Sequence, residues 1–307
     1  MDKKKYLALF SLIIILAFIG YIIYDTIKPV NYITEETDTD NDINKPPDNW
    51  KVLQEIFIGK GLKAVAVSDN GRIYLGGDSF VSCYDDALKE LWSVTTPDKI
   101  TALTAYRDTV YATSVELIYM LDNEGSMIGE FGPYEANCLI TSISVNDRYI
   151  AIADAGNKIV FIIKKDGEVI SMIGHFGEQL LIPSPYFDVS LTPDNNLFMS
   201  NTGKFRIEKR TIDGNIISMF GESGITPAGF CGCCNPSHFA VIPQGFVTAE
   251  KGINRIKIMS PEGEFVEFVS SDNDFVPSAP LDVASIDGKK IYGANPADGK
   301  LYVFAGR

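Results

Sequence analysis

The densest chemistry in the chain is the segment Phe230-Cys231-Gly232-Cys233-Cys234-Asn235-Pro236-Ser237-His238, where three thiols and an imidazole fall within eight residues. Thiolate and imidazole are donors for zinc, copper(I) or an iron–sulfur centre, and Gly232 lets the backbone fold tightly around an ion. The spacing matches none of the common Cys-x-x-Cys templates. Two other readings stand beside a metal or redox centre held by Cys231, Cys233, Cys234 and His238. One is a disulfide that fixes the loop, for example between Cys138 and a loop cysteine; the other is inert thiols. The second histidine, His175, joins the candidate set, as does Cys138. Lys251, in Glu250-Lys251-Gly252, would lower the pKa of a neighbouring thiol and favour reactivity or anion binding. Cys83, in Phe80-Val81-Ser82-Cys83, reads as a small buried hydrophobe. The chain shows no Ser-His-Asp arrangement, phosphate loop or dinucleotide fingerprint.

The elements that position these residues follow from an internal repeat. The segments Arg72-Ile73-Tyr74-Leu75, Thr109-Val110-Tyr111-Ala112, Tyr149-Ile150-Ala151-Ile152, Asn196-Leu197-Phe198-Met199, Gly245-Phe246-Val247-Thr248 and Lys290-Ile291-Tyr292-Gly293 align. Ile73, Val110, Ile150, Leu197, Phe246 and Ile291 are separated by 37, 40, 47, 49 and 45 residues. That spacing suits the four-stranded blade of a β-propeller, and six copies predict an all-β, six-bladed one. Each copy opens with a small-residue apolar strand such as Ala64-Val65-Ala66-Val67. Turns such as Asp122-Asn123-Glu124-Gly125 and Pro261-Glu262-Gly263 carry Gly where a hairpin requires positive φ. The last copy stops after its third strand, Leu301-Tyr302-Val303-Phe304, and Leu53 to Ile58 can supply the missing fourth, closing the ring and hiding its edge.

Propeller topology sorts the loops by face. Short regular turns share one face, while the other receives the long connections Gly132 to Leu139, Gly174 to Tyr186, Gly221 to Pro236 and Ser270 to Pro280. Irregular loops on a rigid scaffold are where binding resides. Cys138, Cys231, Cys233, Cys234, His175 and His238 all fall in or beside them. Asp154, Asn201, Glu250 and Asn295 each follow an aligned strand and so reach the channel mouth.

Ile152-Ala153-Asp154-Ala155-Gly156-Asn157-Lys158-Ile159 and Met199-Ser200-Asn201-Thr202-Gly203-Lys204-Phe205-Arg206-Ile207 resemble the NHL repeat, in which an apolar strand leads into Ala-Asp-Thr-Gly-Asn-Asn-Arg-Ile. Ser171-Met172-Ile173-Gly174 and Ser218-Met219-Phe220-Gly221 are similar to that family's blade ending. The resemblance covers roughly residues 53 to 307 and implies a fold rather than an activity. Gluconolactonase-like six-bladed propellers hold a divalent cation near this level with Glu, Asn and Asp, so the resemblance also implies Ca²⁺ on Asp154, Asn201 and Glu250 and a metal-dependent hydrolase or lyase. The alternative is that these side chains hydrogen-bond their own turns. The histidine-held zinc of NHL-class amidating lyases is not reproduced by two histidines.

At the N-terminus, Lys3-Lys4-Lys5 precedes a charge-free run from Tyr6 to Tyr24, nineteen residues and enough to cross a bilayer core. The expectation is a stub and signal anchor over 1–28, an acidic tether over 29–50 and the propeller over 51–307. Lys3 to Lys5 would hold the N-terminus in the cytoplasm and place the propeller in the periplasm or outside the cell. A net charge of -13 with no basic run after residue 5 excludes nucleic acid as a partner. The expected function is a membrane-anchored module, non-enzymatic or accessory, that takes a protein partner or small ligand on its irregular face with the cysteine loop in a metal or redox role; the alternative is the metal-dependent hydrolase or lyase.

Overall fold

The computed structural model describes residues 14–17, 20, 49–175, 179–232, 234–270 and 274–306. Its contacts divide the chain into two units, residues 1–42 and 43–307.

In the first unit, residues 14–17 and Gly20 are helical with exposed side chains. The rest of the run from Tyr6 to Tyr24 lies outside the described residues, as does the acidic segment up to residue 48. Among the described residues no helix is long and apolar enough to cross a membrane. This corrects the expectation of a single-pass membrane protein with a periplasmic or extracellular propeller: an uncharged run satisfies composition, but a span also requires a continuous helix across the bilayer. Membrane attachment through residues 6–24 is likewise unsupported.

The second unit is a six-bladed β-propeller of six four-stranded antiparallel sheets. In blades one to five the strands run in chain order from the axis outwards, as in Leu62–Val67, Ile73–Gly77, Phe80–Tyr84 and Glu90–Thr95 of blade one. Blade six takes Asp282–Ala284, Lys290–Asn295 and Lys300–Gly306, and its fourth strand is Trp50–Phe57, antiparallel to Lys300–Gly306. The repeat alignment appears as register. Val67 faces Ile73, Ala105 faces Val110, Val145 faces Ile150, Leu191 faces Leu197 and Val241 faces Phe246.

Second strands such as Ile73–Gly77 and Gly245–Ala249 are buried throughout, whereas fourth strands such as Ile216–Phe220 are largely exposed. The buried faces gather into six apolar clusters among the described residues, one at each seam between adjacent blades. The seam between blades four and five stacks Phe198, Phe220 and Phe239 around Phe246 at ring separations of 5.0, 4.9 and 6.4 Å. Each fully buried ring or branched aliphatic contributes about 1.5–3 kcal/mol, so every seam is held by several such terms. In the outer hairpins Gly125 and Gly263 have φ of 85° and 89°. A Cβ on Gly263 would lie 2.2 Å from Phe220 of the neighbouring blade, so the turn also sets how closely the blades approach.

Candidate functional site

The six innermost strands enclose a central channel of about 190 Å³. Within one residue of the start of each stands Lys63, Thr101, Thr141, Asp188, His238 or Asp282, so every blade offers one polar residue near one end of the axis: Asp188 and Asp282 in the channel, Lys63 above them, and Thr101, Thr141 and His238 at the level where the two spaces meet. Above that level the channel opens into a vestibule of about 370 Å³, whose walls include Leu139, Ile140, Pro185, Tyr186, Pro280 and Pro296. His238 borders both spaces.

Two carboxylates meet the imidazole at this junction. Asp188 Oδ1 accepts the Val189 amide at 2.9 Å and the Ser142 hydroxyl, and Asp188 Oδ2 accepts the Phe239 amide at 2.8 Å. Asp282 Oδ2 accepts the Val65 amide at 2.8 Å. These bonds staple blade three to four, four to five and six to one. His238 Nδ1 lies 3.5 Å from Asp282 Oδ1 and 3.8 Å from Asp188 Oδ2. Burial and the Asp188 charge push the Asp282 carboxyl up to about 8, while burial raises Asp188 to about 6 against the pull of its three donors. Burial, helped by the Lys63 charge, lowers His238 to about 4. At neutral pH the proton therefore sits on Asp282 and the imidazole is neutral.

Tyr186 meets His238 edge to face at 5.9 Å, and the Lys251 ammonium lies 4.9 Å above the Tyr186 ring. Burial raises the Tyr186 phenol; the Lys251 charge pulls it down and Cys234 pushes it up. The cysteine loop thus stands behind the aromatic wall of the vestibule, and Lys251 faces that wall.

The loop is held by two polar clamps. Asn235 donates to the carbonyls of Lys251, at 2.7 Å, and Cys231, and its Oδ1 accepts the Lys251 amide at 2.8 Å and the Ser237 hydroxyl at 2.9 Å. Glu250, fully buried, accepts the Cys231 amide at 2.9 Å and pairs with Arg255 Nε at 2.8 Å and Lys257 Nζ at 3.0 Å. Arg255 donates to the carbonyls of Ile225, Thr226 and Gly229, and Lys257 to those of Pro227 and Gly229. The buried charges brace the connection that carries the thiols.

The four residues expected at the channel mouth are engaged by their own loops. Asp154 accepts the amides of Leu139 and Asn157 and the Cys138 thiol at 3.3 Å. Asn201 accepts the Leu181 amide and donates to Glu208, Asn295 accepts the Ala297 amide, and Glu250 serves as above. Among the described residues, none of the four lines the channel or the vestibule. Cys138 is not in a disulfide, and burial with the Asp154 charge raises its thiol to about 11. Cys231 is half-buried and Cys234 buried, while Cys233 lies outside the described residues. His175 is exposed in the turn after blade three. Among the described residues, which leave out Cys233, no group of three or more His, Cys, Asp or Glu side chains is placed to hold a metal ion.

Sequence reasoning missed Asp188, Asp282, Tyr186 and Lys63. A signal was present: Phe187-Asp188-Val189 and Leu281-Asp282-Val283 each put one carboxylate into a strand type otherwise small and apolar.

No family model matches this chain, and no curated protein matches it. Solved structures do match. A catalytically inactive virginiamycin B lyase from Staphylococcus aureus with quinupristin is similar over 83% of this chain and 99% of its own, at 17% identity and a TM-score of 0.60. A streptogramin B lyase gives 14% identity and a TM-score of 0.61 over 84% of this chain and 98% of its own. The WD40 β-propeller domain of Doa1 gives 14% identity and a TM-score of 0.57 over 80% of each chain. At these identities the likeness establishes the propeller fold, shared by lyases and by WD40 domains.

Proposed function

We propose that the chain is a binding module that takes a compact small molecule in the vestibule, with the ligand's polar end on His238 and its apolar body against Tyr186 and the surrounding prolines. The observation that carries this is the confluence at His238 of an apolar concavity of about 370 Å³ with a channel floor of titratable groups. Concave sites with apolar walls and a few convergent polar groups are the usual form of small-molecule sites. Crystallographic soaking with a fragment library tests it. Hits should concentrate in the vestibule and disappear from it in Tyr186→Ala; hits scattered elsewhere with an empty vestibule would remove the proposal.

A second reading is favoured by the inverted protonation of Asp282 and His238, a neutral acid 3.5 Å from a neutral base. Such a pair suits proton transfer in an elimination, and the fold is one that lyases use. Cleavage of quinupristin or virginiamycin B by this protein, lost in His238→Ala, would support it; no turnover at millimolar substrate would oppose it. The metal-dependent hydrolase is less supported, because Asp154, Asn201 and Glu250 are engaged in loop bonds. The pairing of Trp50–Phe57 with Lys300–Gly306 supports ring closure by the N-terminal strand, and the loop-capping use of Asp154 and Asn201 supports the NHL reading.

A further inference from the structure

We propose that the vestibule selects an organic anion, a carboxylate-bearing molecule whose head lies between the Lys63 ammonium and the His238 imidazole while its apolar body fills the walled space above. This rests on the reading of the vestibule as a binding site and adds the sign of the ligand's charge. Among the described residues that line the vestibule, Lys63 is the charged side chain. A second ammonium, that of Lys251, stands over the ring of Tyr186, a wall residue, without itself lining the vestibule. The two acids lie one level lower, in the channel. Asp188 has both oxygens engaged by Ser142, Val189 and Phe239, and Asp282 turns one oxygen to the Val65 amide and the other to His238. The full charge that the described lining presents to the vestibule is therefore positive, in a protein of net charge -13. A protonated Asp282 facing Nδ1 leaves the neutral imidazole its hydrogen on Nε2, a donor suited to an oxyanion. Ammonium and N–H donors converging beside apolar walls favour a carboxylate over an amine of the same shape, because the amine would meet Lys63 in a partly desolvated space.

Three isosteric probes separate the possibilities: 4-phenylbutyrate, 4-phenylbutanol and 4-phenylbutylamine, titrated calorimetrically into the full chain and into Lys63→Met and Lys63→Arg. The expected result is that the carboxylate binds at least tenfold tighter than the alcohol and the amine weakest. Lys63→Met should lose about tenfold for the carboxylate while leaving the alcohol within twofold, and Lys63→Arg should restore most of the loss. Lys63 is exposed, so thermal denaturation should show both variants folded as the parent. Amine affinity equal to or above that of the carboxylate, absent carboxylate binding, or a carboxylate affinity unchanged in Lys63→Met would overturn the proposal. Equal binding of alcohol and carboxylate in the vestibule removes the charge preference while leaving the binding site intact. Fragment soaks that leave the vestibule empty remove the site itself.

Discussion

At the scale of single residues, the channel floor gives the protein a particular stability profile. Asp282 moves from an ordinary value of 3.8 up to about 8 on folding, so between those values the native state holds a proton that the unfolded chain has lost. Stability from this carboxyl is fully present at low pH and is lost as pH rises towards 8, at about 1.4 kcal/mol per pH unit. His238 acts in the opposite sense between about 4 and 6.5, where only the unfolded imidazole is charged, and Asp188 adds a loss up to about 6. The Asp282 effect is therefore uncovered between pH 6.5 and 8, where about 2 kcal/mol should disappear. Urea unfolding across that interval should show the decline in the parent and little of it in Asp282→Asn, which keeps an acceptor for the Val65 amide. A parallel decline in both proteins would mean that Asp282 is already ionised. Cys138 gives a second expectation: with its thiol raised to about 11, native protein at pH 7.5 should leave it unalkylated by iodoacetamide while denatured protein is modified at once. Rapid native alkylation, read by peptide mass spectrometry, would contradict its burial beside Asp154.

At the scale of elements, the cysteine-bearing connection shows how magnitude separates structural from incidental charge. Glu250 is fully buried with Arg255 and Lys257, and removing it leaves two cations without their counter-charge. Glu250→Ala should cost about 3–5 kcal/mol. Lys300 with Glu55 is an exposed pair, and Glu55→Ala should cost under about 1 kcal/mol. Chemical denaturation of the two variants measures the contrast, and similar losses would refute the bracing role. This is also where sequence reasoning stopped short. Following an aligned strand places Glu250 at the channel mouth by sequence, but the direction of a side chain at the end of a strand depends on its neighbours. Arg255 and Lys257, five and seven residues on, turn the carboxylate back into the blade. The strands, their outer hairpin glycines and the uneven loops were legible because periodicity and turn chemistry are local. The site was not, because Lys63 of the vestibule and Asp188, His238 and Asp282 of the channel floor come from four blades and meet only through closure of the ring.

At the scale of the whole molecule, the ring depends on every seam, including the one where blade six meets blade one around Leu62, Leu75, Tyr292 and Leu301. A chain that starts at Asn49 keeps the strand Trp50–Phe57, while one that starts at Ile58 loses it and the buried Trp50. The second truncation should lower the midpoint of thermal unfolding by on the order of 10 °C relative to the first, since a buried Trp and a full strand pairing are worth about 3 kcal/mol or more. Equal midpoints would show that the strand is dispensable. The central claim is that the channel floor and the vestibule form one ligand site with a neutral imidazole at their junction. With two histidines in the chain, nitrogen-15 NMR of the imidazoles during titration with 4-phenylbutyrate at pH 7 tests it directly. The expected result is a neutral His238 whose ring nitrogens shift saturably with the probe while those of exposed His175 stay fixed. A His238 that is protonated at pH 7, or that does not respond to the bound probe, would contradict it.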